Sequence, residues 1–186
     1  MAETRAAPGR LRLVQQFVNT YDLEDDVDQV DDPERLRAWL AGHGLLGAGE
    51  RLGAADVQRA VEVREALRAV LLANAGAPLE AGAVETLNRA SRNSRLIVHF
   101  GPDGRATLEP EPLGVEAAIG RILAAVHTSM ADGTWARFKA CRNEECRWAY
   151  YDHSKNRSGR WCTMEVCGNA MKARSYRRRK RAAAHG

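Results

Sequence analysis

All four cysteines of this chain fall within its last 53 residues, and their spacing is matched: Cys141-x4-Cys146, fifteen residues, then Cys162-x4-Cys167. Each short loop lets two thiolates bend onto one ion. The pattern therefore suits a tetrahedral zinc site, whose Zn–S bonds relieve a small segment of the need for a large hydrophobic interior. Two disulfides are the rival reading, with three pairings open to four cysteines, but nothing in the sequence marks export to an oxidising compartment. A redox dithiol would want Cys-x2-Cys, which is absent. The expectation is one structural Zn2+ per chain on Cys141, Cys146, Cys162 and Cys167, with no ligand position left open for catalysis. His153 could replace a cysteine, but with four thiolates at hand it reads as a surface-turn residue.

Between the pairs, Trp148-Ala149-Tyr150-Tyr151 has strand propensity, residues 153–159 are polar and turn-prone, and Arg160-Trp161-Cys162 is expected to return as the partner strand. From Ala170 onward the chain has no proline and is rich in helix formers, so a helix should follow closely on Cys167. At about 100° per residue, Arg174, Arg177, Arg178 and Arg181 share one sector, with Lys180 near its edge and Lys172 and Arg179 across from it. No acid follows Glu165. Guanidinium groups at this density match phosphate geometry, which makes nucleic acid, and duplex DNA first, the expected partner. A solvated basic tail is the bland alternative. A membrane-surface patch would need an apolar face that this helix lacks.

Charge divides the chain in the same place. Residues 1–133 hold 14 Lys and Arg against 20 Asp and Glu, a balance of −6, while residues 134–186 hold 14 against 4, a balance of +10. The net charge of +4 conceals this split. A basic segment beside an acidic body is the pattern expected when one part meets a polyanion and the other does something else. Gly133 is the predicted boundary, giving a body of residues 1–133 and a finger module of residues 134–186. The total of 186 residues suits one ordinary domain with a small module attached.

The body reads as mainly α with one β-hairpin, an α+β arrangement. Leu11, Val14 and Val18 recur at helical spacing, Asp32-Pro33 is an N-cap with proline at the first helical position, and a long helix is predicted from about Ala54 to Asn74 on Val57, Ala60, Val61, Leu67 and Leu71. A fourth helix carries Val84, Leu87 and Ala90. Leu96, Val98 and Phe100 alternate, Gly101-Pro102-Asp103-Gly104 supplies a turn, and Ala106 and Leu108 alternate again, so a hairpin packed against the helices is expected. Val115, Ile119, Ile122, Leu123, Val126 and Met130 make a fifth, strongly amphipathic helix. No apolar run approaches the length of a membrane span and no signal-peptide core is present, which predicts a cytoplasmic protein without membrane association.

Arg64 falls within the apolar stripe of the third helix, Asn88 adjoins Leu87, and Asn19 ends the first helix. A buried arginine needs an acid, carbonyls or a ligand. The three residues are read either as an internal network that fixes helix packing or as a site for a small anionic effector. No phosphate loop, Gly-x-Ser-x-Gly elbow or His-Glu-x-x-His motif points to an enzyme, and the histidines at 43, 99, 127, 153 and 185 are scattered. RNA or single-strand binding is the alternative to duplex DNA, because Trp148, Tyr150 and Tyr151 beside arginines could stack on unpaired bases. One helix offers few base-edge contacts, so a homodimer placing two helices on adjacent half-sites is the easier route to specificity. Chelation is expected to unfold residues after 133 while sparing the body.

The stretch Trp161-Cys162-Thr163-Met164-Glu165-Val166-Cys167-Gly168-Asn169, followed by Lys172 and the arginine cluster, resembles the CGNR zinc fingers. Trp135, Phe138 and Lys139 before Cys141 agree with that family, as do Asp152-x-Ser154 and Asn156-Arg157-Ser158. The fourth letter of the signature is Ala170, where the family usually has arginine. Upstream, Leu13 with Phe17-Val18-Asn19-Thr20, the helix from Asp32-Pro33 to Leu40, Val63-Arg64-Glu65-Ala66-Leu67-Arg68 and Leu87-Asn88 resemble the ABATE-type domain. The resemblance implies a four-cysteine zinc site in a stress-induced or DNA-binding transcriptional regulator of bacteria.

Overall fold

A computed structural model describes residues 6–47 and 49–183, without the side chains of residues 175, 178, 179 and 181–183. Helix α1 (Leu11–Val18) buries Leu11, Val14, Phe17 and Val18. A two-residue antiparallel ladder follows, β1 (Tyr21–Asp22) with β2 (Val27–Asp28), and folds the acidic stretch back on itself. Helix α2 (Pro33–Gly42) starts as its sequence dictates: Asp32 Oδ1 accepts from the amides of Glu34 and Arg35, both at 2.9 Å, and Pro33 occupies the first turn. Helix α3 (Ala54–Asn74) crosses the centre of the molecule, α4 (Ala81–Ser94) and α5 (Gly114–Ala131) pack beside it, and the hairpin of β3 (Leu96–Phe100) and β4 (Ala106–Pro110) connects those two. Gly133, at φ +76°, closes α5 in a left-handed conformation that a side chain would strain. Among the described residues no helix is long and apolar enough to cross a membrane.

The structure differs from the sequence expectation in how faces are turned. Helix α3 centres its buried side on Ala60, Val63, Arg64, Leu67, Arg68 and Leu71, leaving Val57 and Val61 half-buried. Two arginines belong to the inner face because they find partners there, which an apolar count misses. Helix α4 buries the small residues Ala83, Ala90 and Ser94, so its axis approaches its neighbours closely, and Val84 turns outward. Met130 likewise ends α5 on the exposed side. The hairpin touches the helices through Leu96 and β4, while Val98 and Phe100 are exposed, Phe100 at 69%.

Beyond Gly133 the chain makes a turn at Trp135–Arg137, and β5 (Phe138–Ala140) then pairs antiparallel with β6 (Ala149–Tyr151), Phe138 opposite Tyr151 and Ala140 opposite Ala149. The partner of the aromatic strand is thus the segment before Cys141, not Arg160–Cys162. The first cysteine loop is short enough to serve as the hairpin connection, whereas residues 152–160 are held in a separate loop described below. A single π-helical turn (Met164–Gly168) leads into α6 (Asn169–Ala183).

The finger does not stand apart from the body. Trp135, Phe138, Ala140, Ala149 and Tyr151 belong to the same apolar core as Leu11, Val14, Leu67, Leu71 and Ile122. Polar groups stitch the same seam. Asn19 donates from Nδ2 to the Ala149 carbonyl at 3.0 Å and accepts from the Ala149 amide at 2.7 Å, standing in for a neighbouring strand. Gln15 Nε2 reaches the same carbonyl at 3.1 Å, and Asn74 Nδ2 donates to the carbonyls of Trp135 and Phe138 at 3.1 and 2.9 Å. Because β5 and β6 pack into the body's core, loss of the metal is expected to disturb the body as well as the finger, in contrast to the sequence expectation.

Candidate metal centre and nucleic-acid interface

The four cysteines that the sequence singles out converge into one buried cluster, with all sulfurs within 4.8 Å of one another. Cys146 Sγ and Cys162 Sγ are 3.7 Å apart, as are Cys162 Sγ and Cys167 Sγ. A Zn–S bond of about 2.3 Å in a tetrahedron sets its sulfur–sulfur edge at about 3.8 Å, so the donor set suits a four-thiolate zinc ion. A disulfide would need about 2.05 Å, and all four cysteines are free. The cluster has its own small apolar cover in Tyr150, Trp148 and Trp161.

Three of the thiols act on one another. Cys146 and Cys162 turn their thiols toward Cys141, and with the amides of Cys162 and Asn143 they hold the Cys141 sulfur far below the ordinary thiol range; the same contacts push Cys146 and Cys162 up. Asn143, buried in the first cysteine loop, accepts the Cys146 and Arg147 amides at 3.0 Å through its carbonyl and points Nδ2 at Cys167 Sγ, 3.6 Å away. Sequence reasoning did not select it. Its only trace is an Asn two residues after a cysteine, a position where a side-chain amide can brace a tight metal loop. His153 is exposed in the irregular segment just after β6, its Nε2 3.3 Å from the Ala6 carbonyl, and the turn itself lies at Lys155 and Asn156.

Helix α6 begins two residues after Cys167, and Ala170, in the place of the usual arginine, is exposed on its first turn. Lys172, Arg174, Arg177 and Lys180 are exposed. Arg174 pairs with Glu145 of the first cysteine loop, an interaction that raises its pKa and ties the helix to the far side of the metal cluster. The side chains of Arg178, Arg179 and Arg181, placed on the same helix by sequence, lie outside the described residues.

Arg64 and its expected companions resolve differently. Arg64 is 2% exposed, and its guanidinium is engaged internally: Nη1 and Nη2 grip Asp28 at 2.7 and 2.8 Å, Nε reaches Glu65 at 2.8 Å, and Nη1 also donates to Thr20 Oγ1 at 3.2 Å. Burial opposes its charge, but Asp28 and Glu65 overcome that and raise its pKa. Asn19 is spent on Ala149. Asn88 is exposed, about 200° around α4 from buried Ala90, so it does not join the other two. Arg68, which sequence reasoning passed over, is the more consequential residue. Its guanidinium donates to the carbonyls of Val18 at 2.7 Å and Tyr21 at 3.3 Å, to Glu65 at 2.9 Å, and to Arg147 at 3.0 Å, the residue after Cys146. Body and metal loop thereby share one buried cation.

Comparison with known proteins agrees with this architecture. Residues 11–133 match the ABATE family model, described as "Putative stress-induced transcription regulator", and residues 137–180 match the CGNR zinc finger. No curated protein matches the chain. With most of its length covered by the first model and its four-cysteine cluster by the second, the chain belongs to the ABATE family and carries a C-terminal CGNR zinc finger.

Proposed function

We propose that this protein is a DNA-binding transcription regulator, in which one structural zinc ion roots an arginine-rich helix that contacts the phosphate backbone of duplex DNA. The observation that carries the reading is the exposure of Lys172, Arg174, Arg177 and Lys180 on a helix that starts two residues after a metal ligand. Four thiolates fill a tetrahedron, so the zinc holds shape rather than activating water, and the protein works by binding rather than by catalysis. RNA or single-strand binding is the second reading. It needs aromatic faces open to bases: Tyr150 and Tyr151 are buried and Trp148 is half-buried, but Tyr176 is exposed on α6, so the comparison of duplex with single strands decides between the two.

The acidic body sets the orientation. Its balance of −6 turns phosphates toward the basic module, and a homodimer would bring two helices to adjacent half-sites in the bacterial cytoplasm. The test is the salt dependence of duplex binding by the zinc-loaded full chain. Each phosphate contact contributes a slope of about −0.9 in log K against log salt, so Arg177→Ala with Lys180→Ala should flatten the slope by about 2. Binding that ignores salt, or tighter binding to single strands than to duplex, would overturn the reading.

A further inference from the structure

The loop between β6 and the second cysteine pair, residues 152–160, is built with more care than a connection requires. Lys139 and Asp152 form an ion pair that is buried on both sides, Nζ to Oδ2 at 2.8 Å. Lys139 spends its other donors on the loop's own carbonyls, Arg157 at 2.5 Å and Gly159 at 3.2 Å. Asp152 accepts the amides of Ser154 at 3.0 Å and Gly159 at 2.8 Å, and Arg137 Nη1 donates to the carbonyls of Asp152 and Ser154 at 3.0 and 2.8 Å. Gly159 lies so close that a Cβ there would come within 2.9 Å of the Asp152 carboxylate. At the far end the Arg160 carbonyl accepts the Arg142 amide at 3.0 Å, fastening the loop to the first cysteine knuckle.

All this machinery faces inward, and what the loop turns outward is basic. Lys155, Arg157 and Arg160 are exposed, with polar Asn156 and Ser158 between them, and no acid lies between Asp152 and Glu165. Arg157 is held at φ +52°, a left-handed conformation that a side chain adopts only when its surroundings impose it. A buried ion pair is a weak way to gain stability, because desolvation consumes most of the attraction. It is a good way to fix a loop in one shape. A basic loop ordered in advance loses less conformational freedom on meeting an anion than a free tail does.

We propose that Lys155, Arg157 and Arg160 form a second phosphodiester-binding surface, separate in sequence from α6 and held to the same metal cluster. This inference rests on the nucleic-acid reading above and extends it: the finger grips backbone through a rigid loop as well as through its helix. Two features support the pairing. Arg160 stands two residues before Cys162 and Asn169 two residues after Cys167, so one metal ion positions both basic elements. Both also sit in the module whose charge opposes that of the body.

The experiment compares two variants of the zinc-loaded full chain on one labelled duplex across a salt series. The first is Lys155→Ala/Arg157→Asn/Arg160→Ala, asparagine being chosen because it tolerates the left-handed backbone. The second is Arg177→Ala/Lys180→Ala. Zinc content and circular dichroism are read in parallel, and the single Lys155→Ala chain serves if the triple variant does not hold zinc. The expected result is a slope flatter by about 2 to 3 for the loop variant and by about 2 for the helix variant, and by about 1 for Lys155→Ala alone. An unchanged slope in a correctly folded, zinc-loaded loop variant, with the helix variant flattened, overturns the loop surface and leaves the nucleic-acid reading standing. Absence of salt-dependent binding by the unaltered chain overturns both.

Discussion

Cys141 and Cys146 lie on a hairpin whose strands are buried against α1 and α3, whereas Cys162 and Cys167 lead into a helix whose described basic side chains are exposed. One metal cluster thus joins an inner half, shared with the body's core, to an outer half that is basic and open. The inner half is gripped by Asn19, Gln15, Asn74 and Arg68, all from the body, while the outer half is tied to the inner one through the sulfurs, Asn143, the Arg142–Arg160 backbone bond and the Arg174–Glu145 pair. Such a division lets the body serve as foundation and leaves the basic face free. It also means that damage to the metal site should travel inward, contrary to what an independent module would show.

Removing the metal is the most severe way to test that division. Structural zinc contributes about 10 to 16 kcal/mol of apparent binding free energy in small fingers, so Cys162→Ala should abolish the cluster and the ordered outer half. Because β5 and β6 belong to the body's core, the melting temperature of the whole chain should fall with it, read by calorimetry before and after chelation. A body transition that stays where it was after chelation would show two independent units. Phe138→Ala probes the same floor from the apolar side. It should destabilise the chain by about 3 to 5 kcal/mol in a denaturant titration, together with easier zinc release to a chromogenic chelator.

The Lys139–Asp152 pair gives a test with a pH signature. Asp152→Asn leaves Lys139 buried without its counter-ion and should cost about 3 to 5 kcal/mol near neutral pH. Burial pushes the Asp152 carboxyl up, but Lys139, Ser154 and Gly159 outweigh that and hold it below the ordinary value of 3.8. The folded chain therefore binds fewer protons there than the unfolded chain. The pair's contribution is complete above that ordinary value and is lost as pH falls through the depressed one. The stability gap between the original chain and the variant should accordingly shrink below about pH 4, and a gap that is constant with pH would mean the carboxylate charge is not what holds the loop.

A smaller effect is expected at the seam. Asn19→Ala strips the Ala149 amide and carbonyl of a partner and should cost about 1 to 3 kcal/mol, with duplex affinity unchanged once zinc is saturating. The least change belongs to the outer half: Glu145→Gln frees Arg174 from an exposed pair and should leave stability nearly untouched while steepening the salt slope of duplex binding by up to about 1.

Much of this was legible in the residues. The Asp32-Pro33 cap and the limits of α3 follow from local backbone chemistry that a sequence states outright, and both appear where expected. The cysteine spacing, likewise, announces a cluster because the ligand chemistry is carried by the residue type itself. Asn143 and Arg68 were not legible, since nothing local distinguishes a structural asparagine or a buried arginine from a solvated one. Their importance comes from carbonyls and sulfurs that other elements bring to them. The outward turn of Val84 and Asn88 escaped for the same reason: α4 is packed through alanines, whose small size draws helices together without leaving a strong apolar signal.

The sequence by itself therefore determined the helices and the β3–β4 hairpin, the cysteine cluster and the separation of charge, because those depend on short-range periodicity, residue chemistry and composition. Tertiary structure alone decided that β6 pairs with β5, that Arg64 closes an internal network with Asp28 and Glu65, and that the finger's inner half is part of the body's core. Each of those outcomes is a competition among distant partners for one buried donor, acceptor or apolar surface. Such competitions are settled by where the chain brings groups together in space, because desolvation penalises every polar group that fails to find a partner.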